Sequence, residues 1–456
     1  MVGAGSVVFA RTLMSDILSF PELAGANIVL HDVDARRLET AEMMVRSVAG
    51  TLGARPRIEA SIDRRAALRG CDYVINAIQV GGHQATLLDF GIPKKYGLKQ
   101  TIADTLGIGG IFRALRTIPV LLDICRDMRE LCPGALLLNY TNPMAMLCLA
   151  VERAGGVPVV GLCHSVQHTS RRLAEYVGVP EEEVWFRVAG INHMAWFLEF
   201  RRRGPGLRSE DLYPRLWAAL DDPTVYGRDK VRFEMMRRLG YFVTESSEHM
   251  SEYVPYFIKR DALIERFDIP IDEYVRRSER NLGRAEAERE RLDRGEAAEV
   301  KRSHEFGAYI IRAIEANQDW SFHGNVLNRG LIDNLPADCV VEVPVLVNAA
   351  GLQPTHVGAL PPQLAAMNRT NVNVQQLVVE AALTGNRDHV YHAAMLDPHT
   401  AAVLSLDEIW ALVDELIEAH GDALPKLEAR RLRPAAKAEA TVGKIGAGAR
   451  RAPSAG

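Results

Sequence analysis

Residues 3–10 read Gly3-Ala4-Gly5-Ser6-Val7-Val8-Phe9-Ala10, and the next apolar run, Ile28-Val29-Leu30, ends in His31-Asp32. Two glycines at this spacing let a backbone turn tightly and lie against a pyrophosphate at a helix N-terminus. The third glycine of the dinucleotide fingerprint is replaced by Val8, so the loop by itself is a weak signal. Its context strengthens it. Asp32 stands 24 residues after Val8 at the end of a strand-like run. A carboxylate there hydrogen-bonds an adenosine ribose and favours NAD over NADP. Gly3, Gly5, Ser6 and Asp32 are therefore cofactor-binding candidates, with Asp34 as a second acid. Only Met1 and Val2 precede Gly3, whereas a strand averages about five to six residues. The expectation is a true start upstream, or a weakened nucleotide site.

Outward from this stretch, short apolar runs alternate with helical periods. Tyr73–Ile78, Ala135–Asn139 and Val157–Gly161 read as buried strands, and Ala35–Leu52 and Ile111–Arg129 as helices. That alternation predicts an α/β fold, a Rossmann-like doubly wound parallel sheet with ligands outside the carboxyl ends of its strands. From Val184 the texture changes. Val184–Gly190, Trp196–Arg202 and Cys339–Leu346 read as strands. Arg276–Arg302 reads as a long solvated helix. Helical patterns follow over Leu364–Leu383, Asp388–Leu396 and Asp407–His420, where His389, His392 and His399 read as packing or surface residues. The expected organisation is a nucleotide-binding domain over 1–190 and a C-terminal mixed α/β domain over 191–430, as in lactate and malate dehydrogenases. An Ala-, Gly- and Arg-rich tail over 431–456 is expected to be disordered.

The chain has 456 residues, which allows two to four domains at about 100–200 residues each. Lys and Arg number 54 against 58 Asp and Glu, a net charge of −4, which disfavours nucleic acid as a partner. The best uncharged run, Leu131–Val151, carries two prolines and two asparagines and is a poor membrane span, and no signal peptide is visible. Six cysteines without close pairing read as reduced thiols of a cytoplasmic protein.

Five further motifs carry chemistry. Gln79-Val80-Gly81-Gly82-His83 is a glycine loop at a strand end, which places Gln79 and Gly81 beside a pyrophosphate or nicotinamide ribose. In Asn139-Tyr140-Thr141-Asn142-Pro143 the proline pushes Asn142 toward extended geometry, aiming its amide into the crevice. Cys163-His164-Ser165-Val166 and Asn192-His193-Met194 each follow a strand. A thiolate and an imidazole brought together there hold a divalent transition metal with positions open to substrate. Glu245–Tyr256 sets Glu245, Glu248, His249 and Glu252 beside Tyr253 and Tyr256 and reads as a site wall. These residues alone point to an NAD-dependent protein with a metal pair, and a 2-hydroxy-acid dehydrogenase satisfies them.

Together the motifs resemble glycoside hydrolase family 4, in particular its bacterial α-galactosidase (melibiase) branch. The strings that carry the resemblance are GAGSVVF, DYVINAIQVGG, YGLKQTIADTLG, NYTNPMAM, GLCHSVQ, AGINHMAW, GYFVTESSEHMSEYVP, GLIDNLP and YHAAMLDPHTAAV. The residues Cys-His-Ser-Val are where this family varies with substrate. The resemblance implies hydrolysis of α-galactosides by transient oxidation at sugar carbon 3, with NAD as hydride acceptor. Proton removal at carbon 2, loss of the aglycone, addition of water and re-reduction follow, an exception to two-carboxylate hydrolysis. The alternative is the same route on an α-glucoside, α-glucuronide or α-galacturonide. By resemblance Cys163 and His193 hold Mn2+ or another divalent transition metal, and Asn142 and Asn192 touch sugar hydroxyls. Tyr253 is the base, with Tyr256 as alternate, and His164 sits where some relatives hold the general acid. The family also implies a homodimer or homotetramer acting on a small sugar.

Overall fold

Val2 makes parallel bridges to His31 on one side and to Asn76 on the other. Its N–H donates to Ile75 O at 2.8 Å, its carbonyl accepts from Ala77 N at 2.9 Å, and His31 N donates to Met1 O at 2.9 Å. The position of the expected first strand is thus filled by Met1 and Val2, a short stub paired on both edges. In the computed structural model, which describes residues 1–206, 208–303 and 305–432, this stub joins two sets of strands. The expected tail, from residue 433 on, lies outside the described residues.

The strands are β1 (Asn27–His31), β2 (Arg57–Ser61), β3 (Tyr73–Asn76), β4 (Leu136–Asn139), β5 (Val159–Gly161), β6 (Val184–Ile191), β7 (Met194–Arg203), β8 (Ser209–Asp211), β9 (Trp320–Leu327), β10 (Val340–Asn348) and β11 (Gly351–Pro354). β1 pairs β2, β3 pairs β4 and β4 pairs β5, all parallel. With the Val2 stub between β1 and β3, the order is that of a Rossmann sheet, 3-2-1-4-5-6. Leu30, Val74, Ile75, Leu137, Leu138 and Val160 are buried, as expected of parallel strands covered by helices on both faces. Helix Ala35–Leu52 starts at Asp34, whose carboxylate accepts from Arg37 N at 3.0 Å, and ends at Gly53 in the left-handed conformation.

The sheet runs on across residue 190. β9 and β10 form an antiparallel pair that meets β5 at Gly161↔Asn325 and β6 at Glu342↔Gly190. β6 and β7 form a hairpin whose two-residue turn is Asn192-His193. A Cβ on Gly161 would stand 2.9 Å from Asn325 Cβ, so a glycine is required where β5 meets β9.

The charged segment forms helix Glu273–Asp293. It is pinned over the nucleotide-binding helices by Arg11–Glu288, Arg36–Glu286 and Arg289–Glu39 ion pairs. Deeper, Asp89 accepts from Arg116 (2.5 and 3.0 Å) and faces His420 Nε2 at 2.9 Å, a buried charged cluster joining helices Gly82–Lys95, Gly107–Leu131 and Leu406–His420. Among the described residues no helix is long and apolar enough to cross a membrane.

Candidate active site

The carboxyl ends of Val2, β3, β4 and β5 open into a cavity of about 470 Å3. Ser6, Gln79, Asn142, Cys163, His164 and His193 all lie on its wall. Five separate sequence motifs are thereby brought to one place, four at strand ends and the fifth at the β6–β7 turn.

The nucleotide side is built from glycines whose side chains have no room. A Cβ on Gly3 (φ +83°) would stand 2.6 Å from the backbone of Ala77, and one on Gly5 would meet the Asp32 carboxylate at 2.6 Å. Asp32 accepts from Gly5 N at 2.7 Å and from Asp34 N at 3.0 Å. The acid expected for the ribose thus stands beside the loop, whereas Asp34 serves as a helix cap. Ser6 precedes helix Val7–Leu18 without capping it, leaving the first helical N–H groups without a side-chain acceptor. Gly81, in the left-handed conformation, opens helix Gly82–Lys95. Its loop is fixed from behind by Arg116 Nε, which donates to Val80 O at 3.1 Å. A tight turn, uncapped helical amides and an acid at the next strand end fit a dinucleotide.

On the opposite wall His193 Nε2 lies 3.1 Å from Cys163 Sγ and 3.5 Å from Glu245 Oε2. His193 occupies the second position of the β6–β7 turn with φ +62°, and Glu245 has φ +70°. Non-glycine residues held in this region cost about 1–3 kcal/mol each and cluster at functional sites. Burial, with Glu245 and Glu342 nearby, pushes the Cys163 thiol well above its ordinary range. Burial alone would also raise Glu245, but the imidazoles of His249 and His193 and the guanidinium of Arg232 outweigh it and hold its pKa at about 2. Thiol, imidazole and carboxylate within 4.8 Å of one another form a donor set that fits a divalent transition metal.

Around this centre His164 Nε2 lies 2.6 Å from Glu305 Oε2. Burial disfavours the imidazolium, but Glu305 outweighs it and raises the pKa of His164. Asn142 Nδ2 donates to Asp104 Oδ2 at 3.2 Å, and Arg113 Nε donates to Asn142 O at 3.2 Å. Asn142 Oδ1 has no partner among the described residues. Arg113 also donates to the Tyr274 hydroxyl at 2.9 Å.

Of the residues expected at the sugar and the metal, three sit off the wall. Tyr253 is fully buried, its hydroxyl 3.0 Å from His193 Nδ1. Burial first, then the carboxylates of Asp104, Glu252 and Glu245, push this phenol well above its ordinary range. Asn192 is fully buried, with both amide atoms unpartnered among the described residues. Tyr256 is 47% exposed. Sequence reasoning missed Asp104, Arg113, Tyr274 and Arg277, which line the cavity, and Glu305 and Glu342 beside it. Asp104 lies inside a quoted string, but no spacing tied it to the site.

Comparison with known proteins agrees with this geometry. The model for the "Family 4 glycosyl hydrolase" matches residues 1–179 and that for its C-terminal domain residues 188–400. The chain is 48% identical to an alpha-galactosidase of Bacillus subtilis over 93% of its length and 98% of that protein. It is 37% identical to an alpha-galactosidase of Rhizobium meliloti over 93% of its length and 89% of that protein. The crystal structure of a 6-phospho-alpha-glucosidase from gut microorganisms, in complex with NAD and Mn2+, superposes with a TM-score of 0.79 at 22% identity, covering 94% of this chain and 98% of that one. The chain belongs to family 4 of the glycosyl hydrolases.

Proposed function

We propose that this protein hydrolyses α-galactosides by transient oxidation at carbon 3 and elimination across carbons 1 and 2. The observation that carries the reading is the 3.1 Å approach of His193 to Cys163 in the same cavity as the glycine loop. A hydride-acceptor site and a metal-ligand pair then face one sugar. The 48% identical alpha-galactosidase supports galactose as the glycone.

Bound here, NAD+ supplies a reversible hydride acceptor and Mn2+ or a similar cation stabilises charge on the sugar oxygens. The Gly3–Ser6 turn and the uncapped helical amides hold the pyrophosphate, Asp32 the adenosine ribose, and Gln79 and Gly81 the central part of the dinucleotide. Cys163 and His193 hold the metal. Asn142 offers its carbonyl oxygen, without a partner among the described residues, to a sugar hydroxyl; Asn192, buried beside His193 and likewise unpartnered there, becomes the second sugar contact only when the β6–β7 turn shifts to expose its amide. Tyr253 takes the proton from carbon 2. With Nε2 of His193 turned to the metal, the proton on Nδ1 points at the Tyr253 hydroxyl, a hydrogen bond that favours phenolate. His164, charged through Glu305, gives a proton to the departing oxygen. Cys163 must stay reduced, which suits a cytoplasm.

The test is turnover of melibiose or an aryl α-galactoside in deuterated water. Deuterium at carbon 2 of the released galactose is expected, with activity requiring NAD+, Mn2+ and a thiol reductant together. Galactose released without deuterium overturns the route. A second reading, a glycone bearing a carboxylate, is favoured by Arg113 and Arg277 on the cavity wall. An aryl α-galacturonide in the same assay separates the two.

A further inference from the structure

His193 has two nitrogens, and the structure gives each a different task. Nδ1 faces the Tyr253 hydroxyl, which leaves Nε2 as the metal-facing atom. Two side chains approach that nitrogen: Cys163 Sγ at 3.1 Å and Glu245 Oε2 at 3.5 Å. Ligands bonded at about 2.0–2.3 Å to one metal stand roughly 3–3.5 Å from each other. Both distances from His193 Nε2 already have that spacing, and all three donor atoms lie within 4.8 Å of one another.

Glu245 is held in place from behind. Its backbone sits at φ +70°, and its carbonyl accepts from Arg232 and, at 3.3 Å, from Thr169 Oγ1. Arg232 is itself buried and paired with Asp229. A strained conformation persists only where its surroundings over-determine it. Here that machinery presents a carboxylate to His193.

A second group of potential ligands, Asp104, His193 and His249, overlaps the first. Its members are committed elsewhere. Asp104 accepts from Thr105 Oγ1 at 2.7 Å and Asn142 Nδ2 at 3.2 Å, and His249 Nδ1 is 2.8 Å from Ser246 Oγ. Among the described residues Glu245 is approached only by the imidazoles of His193 and His249 as side-chain donors.

We infer that Glu245 is a third protein ligand of the divalent cation in the sugar-free enzyme, completing a Cys163–His193–Glu245 set. The inference rests on the reading that Cys163 and His193 hold the metal. The set explains how the enzyme retains its cation between turnovers, when no sugar oxygens are present to share it.

The experiment is titration of the metal-free full chain with Mn2+ without sugar, following free Mn2+ by electron paramagnetic resonance. Glu245→Gln is expected to weaken binding at least tenfold, and Glu245→Asp, which keeps the charge but withdraws the oxygens, by an intermediate factor. Glu248→Gln, a neighbouring loss of the same charge, is expected to change it less than twofold. With Co2+ in place of Mn2+, Glu245→Gln should alter the d–d absorption while the thiolate-to-metal band persists. Binding by Glu245→Gln within twofold of wild type, or an unchanged d–d spectrum, overturns the inference. Cys163→Ser separates the failures: if it weakens binding and Glu245→Gln does not, only the third ligand is lost. If neither does, the metal site itself is misplaced.

Discussion

The hydroxyl of Tyr253 lies 3.0 Å from Nδ1 of His193, on the side of the ring away from Cys163. The phenol is thus placed to orient this imidazole, and under the proposed function it is also the base that takes the proton from carbon 2. A positioned general base contributes about 10²–10⁴ in rate, whereas loss of an orienting partner costs about 10–100-fold in metal affinity. Tyr253→Phe is expected to lower kcat at least 100-fold, with deuterium exchange at carbon 2 falling in step. Saturating Mn2+ should not restore it. Full recovery at high Mn2+ would reduce Tyr253 to an orienting role.

The nucleotide loop makes a second prediction. Gly3 is left-handed and its missing Cβ would overlap the Ala77 backbone at 2.6 Å, the strand end on which the loop rests. Backbone cannot give way as a side-chain tip can. Gly3→Ala is expected to weaken NAD+ binding at least tenfold by titration calorimetry, with Mn2+ binding little changed. Unchanged NAD+ affinity would place the dinucleotide elsewhere.

What the sequence made legible follows from chain locality. Gly3, Asn142 and Cys163 each lie within a few residues of an apolar strand end, and a parallel sheet collects its strand ends at one edge. His193 was legible as a residue just after a strand, although the hairpin turn that holds it was not. The partners of these residues were not. Glu305 meets His164 across 141 positions, and Glu342 is set beside the site by its pairing with Gly190 on one side and Asn325 on the other. β9 was missed because Ser321, His323 and Asn325 interrupt its apolar pattern, although Asn325 is fully buried where β9 meets β5. Nor did periodicity separate Tyr253 from the wall it was expected to line, because a buried phenol and a cavity-facing one have the same spacing.

The Arg116–Asp89–His420 cluster predicts a stability effect with a functional echo. Removing one partner of a buried ion pair costs about 3–5 kcal/mol because the other charge is left uncompensated. Asp89→Ala is expected to lower unfolding stability by about that amount in urea denaturation. Because Arg116 also holds Val80 O, the Gln79–Gly81 loop loosens with it. NAD+ affinity should fall as well, and a variant of wild-type stability would show that the cluster is not energetically coupled.

Glu342 gives the last prediction, in pH dependence. It is fully buried on β10, and among the described residues neither carboxylate oxygen has a well-formed hydrogen bond. Burial raises its pKa from 4.5 to about 8, with nearby Glu245 adding to the rise and His193 and Asn325 opposing it. The folded state therefore keeps a proton that the unfolded chain has already released. In that case stability is fully present below about pH 4.5 and is lost as pH rises toward 8, by about 1.4 kcal/mol per pH unit at most. Glu342→Gln, uncharged at every pH, removes this dependence. Glu252, pushed up to about 7 by burial against the opposing amides of Thr101, Ala103 and Ile102, titrates in both proteins and cancels in the comparison. Urea unfolding of metal-free wild type and Glu342→Gln between pH 5 and 8 should show the variant gaining relative stability steadily with pH. Parallel curves would mean that Glu342 is ionised in the folded protein, with its charge met by a partner.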